Sequence, residues 1–108
     1  MRSSTAARLL RRVFAGLDAP MTFRLWDGTT ARVGTPGDPG FAVVLRSPPV
    51  FRRILLRPTA LRFGEAYIAG DLDIEGNIFA AMRTATAVEG LRVPLRTRLA
   101  VLGRLLAP

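Results

Sequence analysis

Acidic side chains crowd into residues 65–75, and their types and spacing could support metal binding or acid–base chemistry. The stretch 71–76 alternates acids with Leu72 and Ile74 and ends in glycine, as the first half of a calcium-binding EF-hand loop does. Such a loop also needs a bidentate carboxylate at its twelfth position, which is Met82 here. Because Leu72 and Ile74 alternate with the acids in the manner of a half-buried strand, we predict a strand and no metal site.

Catalysis by these carboxylates would need further groups that the sequence does not supply. Glu65, Asp71 and Asp73 are close enough in sequence for acid–base work, but the 108 residues include no cysteine and no histidine. Thiolate nucleophiles, imidazole bases and Cys/His zinc sites are thereby excluded. No G-x-G-x-x-G turn follows a predicted strand, so the sequence has no nucleotide-binding fingerprint. We therefore predict no catalytic, cofactor-binding or metal-binding residues in this chain, and we expect Glu65 to pair with an arginine.

The formal charge of +8 is carried by arginine alone and is unevenly distributed. Residues 1–62 contain eleven arginines and three acids, residues 63–90 one arginine and five acids, and residues 91–108 four arginines and no acid. This distribution favours contact of the two basic ends with an anionic surface, or docking of the acidic segment on a basic one. With 49% apolar and 22% charged residues, the composition is typical of a folded domain, and no apolar run approaches the length of a membrane-spanning helix.

Hydrophobic periodicity predicts an α+β fold with a small, mostly antiparallel sheet and flanking helices. Asp27-Gly28 between two alternating stretches indicates a hairpin, and the more apolar stretch after it predicts a central third strand. Asn77 is a good N-cap for the helix that follows it. The predicted helices span 5–17, 48–57, 61–69, 78–85 and 95–106, and the predicted strands span 21–26, 29–33, 41–46 and 71–75.

Both terminal helices are amphipathic and carry arginines, and this pattern leaves three functions open. Their leucine and phenylalanine faces can pack in a core or lie on a lipid surface with the arginines at phosphates. Nucleic-acid binding is the second alternative, but it favours an exposed sheet with stacking aromatics, and only Trp26 shares an outer face with Arg24. The third is a purely structural scaffold whose apolar helix faces bury against a catalytic partner.

A more specific pattern lies in residues 61–75, where Gly-Glu-Ala-Tyr precedes a Gly-Asp pair at the start of the acidic strand. Upstream come a helix, a strand that ends in Asp27-Gly28, a loop with proline and glycine, an apolar strand and a basic helix at 51–56. In this order of elements the chain resembles, over roughly residues 5–90, the N-terminal domain of cyclopropane-fatty-acyl-phospholipid synthases. The motif residues that carry the resemblance are Gly64, Glu65, Ala66, Tyr67, Gly70 and Asp71.

Those synthases are methyltransferases that use S-adenosylmethionine to add a methylene to the double bond of a phospholipid acyl chain. The resemblance implies that residues 1–90 form a lipid-engaging domain with an α+β fold like that of sterol carrier proteins, packed on a separate catalytic domain. Residues 91–108 are too few for a doubly wound cofactor-binding fold, and we predict for them a basic amphipathic helix that links toward a missing catalytic domain. We therefore expect no methyltransferase activity from this chain, and S-adenosylmethionine only in the missing domain.

A phospholipid drawn partly from a bilayer needs apolar protein surface beside cations that bind its phosphate. The candidate apolar residues are Phe51, Leu55, Phe79 and Met82, and the candidate cations are Arg52, Arg53 and Arg57. We interpret Tyr67 and Glu65 as a structural or interdomain pair. The expected partners are an anionic phospholipid membrane surface and a methyltransferase catalytic domain, with a homodimer left open and no nucleic acid expected. The expected location is cytoplasmic, peripheral to the inner face of the membrane.

Overall fold

Apolar side chains at alternate positions of four strands form one face of a mixed sheet, around which five helices pack. The computed structural model describes residues 2–106 and confirms the predicted α+β fold class. The helices are α1 (Ser3–Val13), α2 (Pro48–Leu56), α3 (Ala60–Ile68), α4 (Ile78–Glu89) and α5 (Leu95–Leu106), and the strands are β1 (Pro20–Arg24), β2 (Thr30–Gly34), β3 (Phe41–Leu45) and β4 (Leu72–Gly76).

The strands lie in the order β2-β1-β3-β4. β1 pairs with β2 and β3 pairs with β4 in antiparallel fashion, whereas β1 and β3 run parallel. The parallel pair arises because the chain forms the β1–β2 hairpin first and then returns through residues 35–40 to the other side of β1. The central place predicted for the apolar strand at 41–46 is confirmed, since β3 lies between β1 and β4.

Three phenylalanines join the helices to the sheet. The ring of Phe23 on β1 lies 5.2 Å from that of Phe14, just after α1, and 6.1 Å from that of Phe63 on α3. Phe14 and Phe63 are themselves 6.2 Å apart, so the three rings form a triangle of tilted contacts. Aromatic pairs in such arrangements add about 0.5–1.5 kcal/mol each to the stabilisation from burial. The triangle therefore fixes α1 and α3 over the same strand.

The first helix differs at both ends from the predicted span of 5–17. It begins at Ser3 after the N-cap residue Arg2, which makes no side-chain capping bond, and ends at Val13. Phe14 then leaves helical geometry, and its carbonyl accepts a hydrogen bond from the Leu17 N–H at 3.0 Å. Phe14 and Leu17 are nevertheless fully buried. The sequence predicted a helix as far as residue 17 because Phe14 and Leu17 continue the helical spacing of apolar residues. The turn after α1 buries the same two residues without extending the helix.

The last helix, α5, contributes one buried side chain, Val101, and packs against α1. Leu91 and Val93, in the segment that leads to it, also pack partly against the core. None of the helices within residues 2–106 has the length and apolar character needed to cross a membrane.

Gly34, the last residue of β2, allows the hairpin and the turn after α1 to approach closely. Its φ is +77°, and a Cβ atom there would lie 1.9 Å from the carbonyl oxygen of Ala19. Every other residue type carries that Cβ, so the backbone would have to move. Gly64 in α3 is the contrasting case, because it has helical geometry and its Cβ would meet no atom within 4 Å.

We predict that Gly34→Ala lowers the free energy of unfolding by about 2–4 kcal/mol, from the left-handed backbone and the clash with Ala19 together. The matched control Gly64→Ala should raise it by about 0.5–1 kcal/mol, because alanine favours a helix over glycine. Urea unfolding followed by circular dichroism measures both. A Gly34→Ala protein as stable as the wild type would contradict the close approach.

Asp27, in the hairpin turn, ties that turn to the start of α1. Hydrogen bonds from the Ser3 hydroxyl and from the N–H and hydroxyl of Thr29 lower the pKa of the Asp27 carboxyl from 3.8 to about 2. The Thr29 N–H donates at 2.9 Å, and the Thr29 hydroxyl also lies 3.2 Å from the Ser3 hydroxyl oxygen. The ionised carboxylate therefore links residues that are far apart in sequence.

Because the folded-state pKa of Asp27 is lowered, its contribution to stability should be fully present above pH 3.8 and be lost as the pH falls through about 2. We predict that Asp27→Asn and Ser3→Ala each lose less stability than the wild type between pH 4 and pH 2. Urea midpoints across that range provide the measurement. If both variants lost as much as the wild type, the link between the turn and α1 would be refuted.

Candidate functional site

A groove of about 660 Å³ opens where α2, α3 and α5 meet the end of α1. Its walls are aliphatic, and none of its described lining residues is aromatic. We call it the leucine groove. Its walls include Val13, Leu55, Leu56, Leu61, Val101 and Leu102, and its charged rim consists of Arg57, Arg62, Glu65, Glu89 and Arg98.

The break between α2 and α3 places two leucines on this groove. α2 ends at Leu56, shortly before Pro58, whose ring cannot continue a helix. Thr59 then caps α3, since its hydroxyl oxygen accepts a hydrogen bond from the Arg62 N–H at 3.2 Å. Leu56 and Leu61 lie on either side of this cap and remain 55% and 72% exposed. Local helix-stop and helix-start signals therefore build the outer wall of the groove.

Positive charge predominates at the rim, where three arginines face two glutamates. One of these, Glu89 at the end of α4, accepts a hydrogen bond from the Ala60 N–H at 2.8 Å, at the positive N-terminus of α3. Arg57, Arg62 and Arg98 form no ion pair within the part of the chain that the structure describes. The rim can therefore offer guanidinium groups to an anion.

Four leucines of α5 face outward instead of packing on α1. Their spacing of four, three and four residues places them in one row along the helix. Leu102 also lines the leucine groove, so the row and the groove form a continuous apolar surface. We call this row the leucine stripe: Leu95 (71% exposed), Leu99 (60%), Leu102 (40%) and Leu106 (75%). An exposed apolar patch of this kind marks an interaction surface more often than isolated exposed leucines do.

The predicted lipid contacts of α2 lie in different environments. Phe51 is fully buried and packs edge-on against Trp26 with ring centres 5.9 Å apart, so this expectation of surface contact is not met. The apolar face of α2 is the face that covers the sheet, which is the physical reason. Leu55 is buried but forms part of the groove wall, and Arg57 lies on the groove rim.

Arg52 and Arg53 both point outward from α2. The guanidinium of Arg53 donates a hydrogen bond to Asp71 at 2.9 Å. Arg53 is therefore already engaged within the fold, whereas Arg52 forms no ion pair among the residues described.

Phe79 and Met82, the predicted lipid contacts of α4, are 67% and 64% exposed. They lie three residues apart on the first turns of α4, whose Asn77 cap is confirmed: its side-chain oxygen accepts from the N–H groups of Phe79 and Ala80. Neither residue lines the leucine groove. The predicted candidates thus belong to two separate surfaces.

The Gly-Glu-Ala-Tyr motif lies on α3 and leads into β4. Ala66 packs partly against the core, and its carbonyl accepts a hydrogen bond from the Asp71 N–H at 2.9 Å. Gly70, with a φ of +79°, provides the left-handed turn between them. Tyr67 is 47% exposed. Glu65 lies on the groove rim and forms no ion pair in the described range, contrary to the expected pairing with arginine.

Arginines from neighbouring elements neutralise the acidic strand. The predicted strand at 71–75 is confirmed as β4, and the acids before and along it each face one guanidinium. No cluster of potential metal ligands occurs among residues 2–106. The acidic segment therefore docks on a basic one, which is one of the two arrangements expected from the charge distribution. The pairs are Asp71 with Arg53, Asp73 with Arg46 at 3.7 Å, and Glu75 with Arg24.

Sequence reasoning missed several groove residues, although signals for two of them were present. Leu56 lies off the apolar face of α2, on the side that carries Arg52 and Arg53, which is unusual for a core leucine. Leu61 similarly lies opposite the packed residue Phe63. Arg62 and Arg98 had no comparable signal, because only the tertiary structure brings α3 and α5 to the same groove.

Residues 7–90 match the sequence model of a family described as a domain of unknown function (DUF7884). The match includes most of α1, the whole sheet and α2 to α4, and it ends before α5. No curated protein and no solved structure matches the chain. The likeness to cyclopropane synthases and to sterol carrier proteins therefore stays a prediction. Because the match covers more than half of its length, the chain belongs to the family of the domain of unknown function DUF7884.

Proposed function

We propose that this chain is a membrane-engaging accessory domain that docks on anionic phospholipid surfaces through the leucine stripe and the mouth of the leucine groove. The observation that carries the proposal is the exposure of four leucines on a helix that has three arginines and no acid. Helices that lie in a membrane interface combine an apolar face with flanking cations in this way.

Charge on α5 and on the neighbouring helix favours binding to an anionic surface. Arg96 and Arg98 flank the stripe on its two sides. α1, which contacts α5, exposes three further arginines on the side away from its buried residues: Arg8, Arg11 and Arg12. Each basic residue near an anionic leaflet contributes about 1 kcal/mol, so a few of them together with partial leucine burial suffice for reversible docking.

The length of α5 supports docking in the plane of the membrane. Its 12 residues span about 18 Å, well short of the ~30 Å hydrocarbon core of a bilayer. α5 also packs against α1, and its one buried side chain, Val101, lies off the stripe. The leucine stripe can therefore enter the interfacial region while the rest of the domain stays on one side of the membrane.

The accessory role that we propose serves a methyltransferase catalytic domain of the cyclopropane synthase type, in the same or in a separate polypeptide. This part of the proposal depends on the Gly-Glu-Ala-Tyr motif at 64–67 and the order of elements around it. Exposed apolar side chains outside the groove, including Tyr67, Ile68 and Phe79, leave surface for such a partner.

We predict that the chain elutes together with a purified cyclopropane synthase catalytic domain in gel filtration, because these apolar side chains would be buried at the interface. Replacing Tyr67 and Ile68 with serine should weaken this association, whereas Leu95→Ser, in the stripe, should not. Separate elution of the wild-type chain at micromolar concentration would contradict the proposed partner.

For membrane docking, we predict that the chain sediments with anionic but not with zwitterionic phospholipid vesicles, and that added salt weakens the binding. The double variant Leu99→Gln/Leu106→Gln should bind anionic vesicles at least about tenfold more weakly, because two leucines no longer enter the interface. Arg96→Gln, beside the stripe, should weaken binding to anionic vesicles about fivefold through the loss of one cation.

The matched control is Phe79→Gln/Met82→Gln, which changes two equally exposed apolar residues on α4. It should bind vesicles as the wild type does, and urea unfolding should show that both double variants are folded. Loss of binding in the α4 variant alone would show that the docking surface lies on α4 and would overturn the proposal. Salt-sensitive binding to nucleic acid without any binding to vesicles would also overturn it.

A further inference from the structure

The leucine groove has the size and chemistry of a ligand site as well as of a docking surface. Its volume of about 660 Å³ falls within the range of about 300–1,000 Å³ typical of small-molecule sites. Such sites usually combine aromatic side chains with fixed polar groups that orient a rigid ligand. The walls here are leucine and valine, with no aromatic residue among the described lining side chains. These walls suit a flexible alkyl chain better than a planar ligand.

Charge at the rim specifies the head group of that ligand. Arg57, Arg62 and Arg98 surround the groove and have no ion-pair partner within residues 2–106. Glu89 is held at the N-terminus of α3 by its bond from the Ala60 N–H, so it competes less for these guanidinium groups. Arginine binds carboxylates through paired, charge-assisted hydrogen bonds. An alkyl chain that ends in a carboxylate therefore complements both parts of the groove.

The position of the groove gives such a chain a route of entry. Leu102 belongs both to the groove wall and to the leucine stripe, and Arg98 lies one turn before it on the same helix. A domain docked through the stripe would hold the mouth of the groove against the leaflet. The alkyl chain of the ligand could then pass from the membrane into the groove without crossing water.

We propose that the leucine groove binds the alkyl chain of one long-chain fatty acid, with its carboxylate at Arg57, Arg62 and Arg98. The proposal rests on the proposed membrane role for the source of this ligand, but binding itself requires no membrane. The two can therefore be tested apart.

The experiment is isothermal titration of the chain with myristate below its critical micelle concentration, at neutral pH and without vesicles. We expect saturable binding of one molecule per chain. Leu56→Trp, which fills the groove from an exposed position, should weaken binding at least tenfold. Arg98→Gln should weaken it by about tenfold through the loss of a charged hydrogen bond, and the alcohol of the same chain length, tested by competition, should bind more weakly by a similar factor.

Controls separate this site from the docking surface. Leu99→Gln/Leu106→Gln, which changes no groove residue, should bind myristate as the wild type does but should bind anionic vesicles more weakly. Leu56→Trp should keep its urea unfolding midpoint. Wild-type binding that does not saturate, or equal affinity in a folded Leu56→Trp protein, would overturn the groove assignment whatever the vesicles show. Equal affinity for the acid and the alcohol would overturn the role of the arginines.

Discussion

Burial of one apolar sheet face beneath the helices is the constraint on which the rest of the structure depends. Phe23 on β1 is its centre, since the rings after α1 and on α3 both pack against it. Because α2 and α3 are both committed to this face, the chain must break between them, at Pro58 and Thr59. That break leaves Leu56 and Leu61 outside the core. The exposed leucines are therefore a consequence of how the core is covered.

Electrostatics divides the arginines into two groups. The first group pairs with the acids of the β4 region and links that edge strand to its neighbours. It consists of Arg24, Arg46 and Arg53. Each such exposed pair contributes only about 0–1 kcal/mol to stability. Their larger effect is to neutralise the local acids, so that most of the arginines without an ion pair among the described residues lie on the helices. The arginines on the surface proposed for membrane docking therefore have few internal competitors.

α5 combines these two features. It lies outside the segment that the DUF7884 family match covers, it packs against α1, and it buries Val101. One side of α5 packs against the rest of the domain, whereas the leucine stripe on the other side is exposed and has no partner among the described residues. The same helix contributes Leu102 and Arg98 to the groove. Membrane docking and fatty-acid binding are thus proposed for adjoining parts of one surface.

Much of the fold follows from local sequence. Periodicity and the signals at Asp27-Gly28, Pro48 and Asn77 predicted every helix and strand of the described range to within a few residues, because these signals act over one or two turns. Such local signals could not predict which apolar helix faces would be buried by other elements of the fold. Phe51 and Leu99 both lie on apolar helix faces, yet one is fully buried and the other is 60% exposed. Burial depends on which elements meet in space, so the tertiary structure alone placed α5 beside α1 and created the groove.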